Sequence, residues 1–163
     1  GVHTKKIVSY LPDSNFLYDW MTVSDAVELF KDFYDDFEEE KALELLEFMK
    51  LNNEDKISTF SKGMMERLNL SLILSRKSKL YILDEPIGGV DPLTRDKILD
   101  AIINNFRPES SMIITTHLVN DIERIFDDIA IIVNGEIVLS GNAEELRIEK
   151  GKSINDIFKE AYA

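Results

Sequence analysis

The sequence predicts an α/β fold built on a parallel sheet, and three observations predict it. From Lys79 onwards, short apolar runs alternate with helix-like segments, which is the pattern of βαβ units. One of these runs ends in two adjacent acids, Asp84 and Glu85, and the next ends in Thr-Thr-His. The chain has 163 residues and 44% hydrophobic content, which is enough for one domain with a sizeable core. We therefore expect a single α/β domain.

The first half of the chain predicts one strand followed by helices. An apolar run over residues 7–11 stops at a proline, as is typical of a strand that leads into a loop. Thr22 or Ser24 can cap the first helix, because either hydroxyl can accept a hydrogen bond from a free backbone N–H. Apolar residues at helical spacing predict two more helices, which begin near residues 37 and 64.

The second half predicts alternating strands and helices, followed by a hairpin. The alternating strands and helices are, in chain order, residues 80–83, 92–106, 112–115, 119–126 and 129–133. Asn134 and Gly135 suit the two positive φ angles of a tight hairpin turn. One or two polar helices close the chain.

Composition and charge exclude several classes of protein. The chain contains 31 acids against 19 lysines and arginines, a net charge of -12, so no overall field attracts nucleic acid. It has no cysteine, which excludes disulfides and thiolate metal sites. No apolar run reaches the roughly 18 residues of a membrane span. Residues 19–56 contain 13 acids and 4 lysines, which indicates a solvated helical surface.

The acid pair at the end of the predicted strand suits phosphoryl transfer. Ligands of open parallel sheets bind at the carboxyl ends of the strands. There Asp84 can hold Mg²⁺, which binds through one or two carboxylates plus substrate phosphates, and Glu85 can polarise an attacking water. The competing interpretation is that the strand simply ends in acids at a turn. His117 follows the neighbouring strand and is either a phosphate ligand or a structural polar group.

Five segments, in order along nearly the whole chain, resemble the motifs of ABC-type ATPases. They are the Q-loop with the entry to the helical subdomain (VSYLPDSNFLYDWMTVSDAV), the signature segment (STFSKGMMERL), the Walker B strand (LYILDEP), the D-loop (GGVD) and the switch histidine (IITTH). The chain is most similar to the ATPase subunits of bacterial exporters of the antibiotic-resistance type.

The resemblance implies an incomplete P-loop NTPase sheet of the ABC ATPase type. Residues 14–76 would form an inserted helical subdomain, and residues 1–13 and 77–163 the remainder of the α/β core, with a C-terminal hairpin and helices. The whole chain, residues 1–163, is then one partial ATPase domain.

The resemblance also implies a role for each residue of the acid pair and for the signature segment. Asp84 would hold Mg²⁺ through water, Glu85 would be the base for the attacking water, and His117 would contact the γ-phosphate of ATP. Ser61 and Gly63 would bind the nucleotide of a second ATPase subunit, so that two copies meet head to tail. The alternative for Ser61 is a plain helix cap.

Other positions depart from the family's pattern or extend it. Lys62 replaces a glycine of the signature and can still meet phosphate, whereas Met64 replaces a glutamine and cannot hydrogen-bond ribose well. Asp13 takes the place of the Q-loop glutamine as a ligand of Mg²⁺. Asp91 belongs to the D-loop and is assigned to the nucleotide site.

The phosphate-binding loop G-x-x-x-x-G-K-[ST] is not found in this sequence. Gly151-Lys152-Ser153 lacks the first glycine, because Leu146 stands there, and the residues before it predict a helix instead of a strand. We expect the chain to be the C-terminal part of an ATPase domain, without appreciable activity alone. In the fold that the chain resembles, the strand bearing this loop lies between the strands predicted at residues 112–115 and 129–133. Its absence would leave a gap, closed by local collapse, strand exchange with a second copy, or association.

The aromatic loop, residues 15–22, is the candidate contact with a membrane partner. Core packing is the simplest interpretation of Phe16, Tyr18 and Trp20. The alternative, from the resemblance, is that they receive a cytoplasmic helix of the transmembrane permease subunit, at the inner face of the cell membrane.

The leading functional hypothesis is therefore the ATP-binding and ATP-hydrolysing subunit of a membrane exporter. Two alternatives stay open. The first is a soluble ABC ATPase without a transport role, although the chain shows no basic stretch for nucleic acid. The second is an interaction module without catalysis.

Overall fold

The computed structural model describes the backbone of residues 1–163 and every side chain except that of Val2. The chain divides into two compact units, residues 1–116 and 117–163. The first unit contains, in order, α1 (Val2–Ile7), β1 (Val8–Leu11), α2 (Val23–Phe33), α3 (Glu39–Phe48), a 3-10 turn (Ile57–Thr59), α4 (Lys62–Leu74), β2 (Leu80–Asp84), α5 (Pro92–Asn105) and β3 (Ser111–Thr115).

The first unit is built on a three-stranded parallel sheet with the order β1-β2-β3. In the central strand β2, Tyr81 and Leu83 are 1% and 0% exposed, so one face of the strand lies in the core. β3 pairs with β2 and with no other described strand, and its Ile113 is 51% exposed. The α/β class with a parallel sheet is confirmed. The expectation that local collapse, strand exchange or association covers the outer edge of β3 stays a prediction.

α4 is the central helix of the first unit. It begins after Ser61 and contacts α2, α3, α5 and β1. Residues 68–74 are buried without a break, because neighbours surround this part of the helix on every side. A helix surrounded in this way fixes the position of the residues at its N-terminus.

Arg76, just after α4, is a buried charge with several partners. The residue is 2% exposed, and its guanidinium pairs with Asp36 at 2.9 Å and donates to the carbonyl oxygens of Val8 and Lys5. It also lies 3.8 Å above the ring centre of Tyr34. One side chain thereby connects the end of α4, the segment before α3, and the start of β1.

Two segments differ from the sequence predictions. The chain begins with the short helix α1, so the first strand is Val8–Leu11 and starts one residue later than predicted. In the second unit the helix predicted over residues 119–126 ends at Ile122 and continues as a 3-10 turn. Both differences concern short helices, whose sequence signal is weak.

The second unit is a hairpin with three helices. Its elements are α6 (Val119–Ile122), β4 (Asp128–Val133), β5 (Glu136–Asn142), α7 (Ala143–Lys150) and α8 (Ile154–Ala161). Asn134 and Gly135 have φ angles of 51° and 84°, so the predicted hairpin turn is confirmed. Its core contains six buried apolar residues: Val119, Ile131, Ala143, Leu146, Ile154 and Ile157.

Candidate nucleotide-hydrolysis site

The acid pair lies where β2 and β3 end side by side. Asp84 pairs with Thr115 in the parallel register, and the N–H of Glu85 donates to the carbonyl oxygen of Thr115 at 2.9 Å. Ile82 and Ile113 also face one another across the two strands. The prediction that these two strand ends are neighbours is therefore confirmed.

Each acid of the pair accepts a hydrogen bond from a threonine of the neighbouring chain segment. Thr115 Oγ1 donates to Asp84 Oδ1, and Thr116 Oγ1 donates to Glu85 Oε2 at 3.2 Å. Two consecutive hydroxyls thus meet two consecutive carboxylates. This arrangement orders both acids before any ligand arrives.

The backbone of Glu85 is left-handed, with φ of 49°. A residue with a side chain gives up about 1–2 kcal/mol to adopt this conformation. The turn closes where the N–H of Gly88 donates to the carbonyl oxygen of Glu85 at 2.9 Å. A Cβ at position 88 would lie only 3.2 Å from that oxygen, so the turn requires a small residue here.

Asp91 is the N-cap of α5. Its carboxylate accepts from the N–H of Thr94 at 3.0 Å and from Thr94 Oγ1 at 2.6 Å. The hydrogen bonds from Thr94 lower the pKa of Asp91 below its usual value. Pro92 takes the first helical position, which suits it because proline has no N–H to leave unpaired. The structure therefore gives Asp91 a capping function, and its assignment to nucleotide stays a prediction.

Ser61 and Gly63 begin α4 beside the start of α5. Ser61 caps α4 by accepting from the N–H of Met64 at 3.2 Å, which matches the simpler interpretation of this serine. A Cβ on Gly63 would lie 3.5 Å from Thr94 Cγ2 and 3.9 Å from Asp91 Oδ2. The start of the signature segment and the D-loop are therefore neighbours in the first unit.

Lys62 lies over the turn that follows the acid pair. Gly89 has φ of 68°, and a Cβ there would lie 2.7 Å from Lys62 Nζ. A larger residue at position 89 would be strained in its backbone, and the flexible end of the exposed Lys62 would have to move aside. The structure thus brings Lys62 and Gly63 next to Gly89 and Asp91.

Comparisons with known proteins show the family of the chain. The profile of the family described as "ABC transporter" matches residues 2–88, more than half of the chain. The chain belongs to the ABC transporter family. The match covers the three segments that resemble the Q-loop, the signature segment and the Walker B strand.

Relatives support the membership of the chain in this family. An ABC transporter ATP-binding protein of Bacillus subtilis, YxlF, is 31% identical over 92% of this chain and 52% of its own length. The linearmycin resistance ATP-binding protein LnrL of the same organism is 37% identical over 65% of this chain and 35% of its own length. This ABC chain spans about half the length of the curated relatives it matches.

Solved structures show the same fold. An ATP-binding subunit of an ABC transporter has a TM-score of 0.85 and 24% identity, covering 98% of this chain and 70% of its own. A dimeric ATP-binding cassette in a post-hydrolysis state, bound to ADP and Pi, has a TM-score of 0.71 and 20% identity. It covers 85% of this chain and 63% of its own. The fold is therefore that of the ABC ATPases.

Glu66 is a residue of the ABC signature segment that the sequence predictions missed. It lies one turn after Lys62 on α4 and is only 8% exposed. Burial raises the pKa of Glu66 to about 7; the positive charge of Lys62 opposes this rise, and the negative charge of Asp13 adds to it. Its position four residues after Lys62 was the one available sequence signal, because side chains at that spacing lie on the same helix face.

Asp13 and Met64 lie after β1 and at the start of α4, away from the acid pair in the sequence. Asp13 is exposed in the bend after β1, and Met64 is half-buried in the first turn of α4, where its backbone N–H rather than its side chain makes the hydrogen bond to Ser61. The roles that the resemblance assigns to Asp13 and Met64 stay predictions.

His117 is the first residue of the second unit. It is exposed and lies in the bend between β3 and α6. Its role at the γ-phosphate stays a prediction.

A magnesium ion, which the family implies, fits the strand end. Asp84 Oδ1 accepts from Thr115, while Oδ2 has no hydrogen bond to any residue that the structure describes. One carboxylate oxygen plus phosphates and water is a typical environment for Mg²⁺. Among the described residues, the strand end included, no cluster of three or more acidic, histidine or cysteine ligands is found.

The aromatic loop divides into a buried and an exposed part. Leu17 and Met21 are 5% and 4% exposed and belong to the core. Tyr18 and Trp20 are 61% and 73% exposed, and their rings stack with centres 6.0 Å apart. The prediction of core packing is therefore wrong for Tyr18 and Trp20. Phe16 is half-buried, and the centre of its ring lies 5.9 Å from the centre of the Phe30 ring. Within the described residues, no helix is long and apolar enough to span a membrane.

Proposed function

We propose that this chain is the C-terminal part of the ATP-binding and ATP-hydrolysing subunit of an ABC-type exporter. The carboxylates of Asp84 and Glu85, each bonded to a threonine at the end of paired parallel strands, are the observation on which the proposal rests. The similarity to LnrL, a protein named for linearmycin resistance, supports an exporter of the antibiotic-resistance type.

The proposed mechanism uses each acid once. Asp84 would hold Mg²⁺, and the ion would supply positive charge to the phosphates of ATP. Glu85 accepts a proton from the attacking water as the water oxygen bonds to the γ-phosphorus and the bond to the ADP oxygen breaks. His117 is assigned to the γ-phosphate from the resemblance, and this assignment is separate from the roles of the two acids.

The signature segment is proposed to act on the nucleotide of a second subunit. Ser61 presents a hydroxyl, and Gly63 presents an N–H in the first turn of α4, where backbone donors and the helix dipole favour phosphate. Lys62 adds a positive charge at the same place. Two copies would then meet head to tail around two ATP molecules, which agrees with the dimeric cassettes among the similar structures.

The membrane partner is proposed to bind at the exposed pair Tyr18 and Trp20. Exposed aromatic rings are typical anchors of protein interfaces, because they bury a large area with few torsions to order. Both rings are exposed and therefore accessible to a partner helix. We assign this surface to a cytoplasmic helix of the permease, at the inner face of the cell membrane.

The central experiment measures ATP turnover in the full-length protein and in the 163-residue chain. Glu85→Gln in the full-length protein should reduce turnover at least about 100-fold, because the amide cannot accept the proton. The exposed acid Glu136, changed to Gln, is the matched control and should leave turnover unaltered.

The 163-residue chain alone should show no steady turnover, since it lacks the backbone cradle and lysine that hold the phosphates. Turnover by this chain that Glu85→Gln abolishes would contradict that part of the proposal. Full activity of Glu85→Gln in the full-length protein would contradict the assigned base.

A further inference from the structure

The hydroxyl of Thr116 contacts the carboxylate that we assign as the base. Thr116 Oγ1 donates to Glu85 Oε2 at 3.2 Å, and both residues are half-buried. The bond continues the pairing of β2 with β3, because Asp84 faces Thr115 and the following residues come next to each other. The contact is therefore a product of strand register and needs no ligand.

Glu85 needs such a contact more than its neighbour does. Asp84 is the last residue of β2 and has a short side chain. Glu85 lies beyond the strand in a left-handed backbone conformation, and its longer side chain has three torsions to order. The turn to Gly88 fixes the backbone of Glu85 but leaves its carboxylate to be oriented by side-chain contacts.

We propose that Thr116 is a positioning residue for Glu85, a role that rests on the proposed function of Glu85 as the base. Its hydroxyl orients the plane of the carboxylate toward the attacking water. In this role Thr116 acts through Glu85, and it gains or loses no proton during the reaction. Its effect should therefore fall on the rate of the chemical step and not on ATP binding.

The test compares three variants of the full-length protein. Thr116→Val keeps the shape of the side chain without the hydroxyl and should lower kcat about tenfold or more, with KM for ATP changed less than about twofold. Thr116→Ser restores a hydroxyl and should recover most of the rate. Thr4→Val, at an exposed threonine of α1, is the matched control. Should Thr116→Val fail to fold in thermal unfolding, Thr116→Ala replaces it.

A second measurement shows whether Thr116 acts through Glu85. In a Glu85→Asp background the shortened carboxylate lies out of reach of the hydroxyl, so Thr116→Val should then lower kcat less than about twofold. An equal loss in both backgrounds would indicate a merely structural role and would overturn the inference.

The remaining outcomes separate this inference from the proposed function. Normal kcat in Thr116→Val, with Glu85→Gln inactive, would overturn the role of Thr116 alone. Full activity of Glu85→Gln would overturn both. Equal losses in Thr116→Val and Thr116→Ser would show that the hydroxyl is not the important group and would also overturn the inference.

Discussion

Arg76 and Glu66 are two buried ionisable side chains that differ in the number of partners around them. Arg76 has a carboxylate, two carbonyl oxygens and an aromatic ring around its guanidinium. Glu66 is nearly as buried but has no hydrogen bond or ion pair to any described residue. The two side chains therefore differ in whether the surrounding groups compensate for their removal from water. Because no partner compensates for the burial of Glu66, burial favours its protonated form and raises its pKa.

Replacement of Arg76 tests this comparison through a large expected loss of stability. Arg76→Met should reduce the free energy of unfolding by about 3 kcal/mol, because Asp36 and two carbonyl oxygens lose their partner. Urea unfolding of the 163-residue chain measures the loss. Lys77→Met, at an exposed neighbouring cation, should cost less than about 1 kcal/mol. Similar losses for the two variants would show that the partners of Arg76 add little.

Glu66 gives an effect of the opposite sign and of similar size. Its pKa rises from 4.5 to about 7 on folding, so the unfolded chain releases this proton at lower pH than the folded one. Stability therefore falls as pH increases between these two values. Glu66→Gln removes the penalty and should raise the unfolding free energy by about 3 kcal/mol at pH 8, with little gain at pH 4.5.

The control for this variant is Glu54→Gln, at an exposed acid, which should show no such pH dependence. Unfolding curves at the two pH values measure the difference. A gain that is equal at both values would mean that the proton on Glu66 is not its cause.

The charge of Lys62 provides the smallest and most specific test. Because Lys62 favours the ionised form of Glu66, Lys62→Gln should raise the pKa of Glu66 above its present value of about 7. Carbon-13 NMR of the glutamate carboxyl, assigned by its loss in Glu66→Gln, measures the titration midpoint. A midpoint that moves down or stays constant would show that the amine of Lys62 interacts mainly with the turn at Gly89.

The sequence predicted the strand end better than the surroundings of α4. β-branched apolar runs ending in polar residues indicate parallel strands, and parallel strands bring their carboxyl ends together. The proximity of Asp84 and Thr115 follows from this rule. The left-handed conformation of Glu85 did not, because no residue with a free choice of φ, such as glycine, marks the position.

Contacts between distant segments had no local sequence signal. Arg76 binds Asp36 and the carbonyl oxygens of Lys5 and Val8, which lie 40 to 71 positions away. The burial of Glu66 likewise depends on the neighbours of α4 and not on its own segment. The helical periodicity of α4 was too weak to show which face is covered, because the helix is surrounded on all sides.

The contact between Lys62 and Gly89 restricts how this protein can change during evolution. The left-handed backbone at position 89 favours glycine, and any side chain there would also have to displace the amine of Lys62. Replacement of the lysine by a shorter residue would free that space, and asparagine, which tolerates a left-handed backbone, could then follow. The two positions are expected to covary, although 27 residues separate them in the chain.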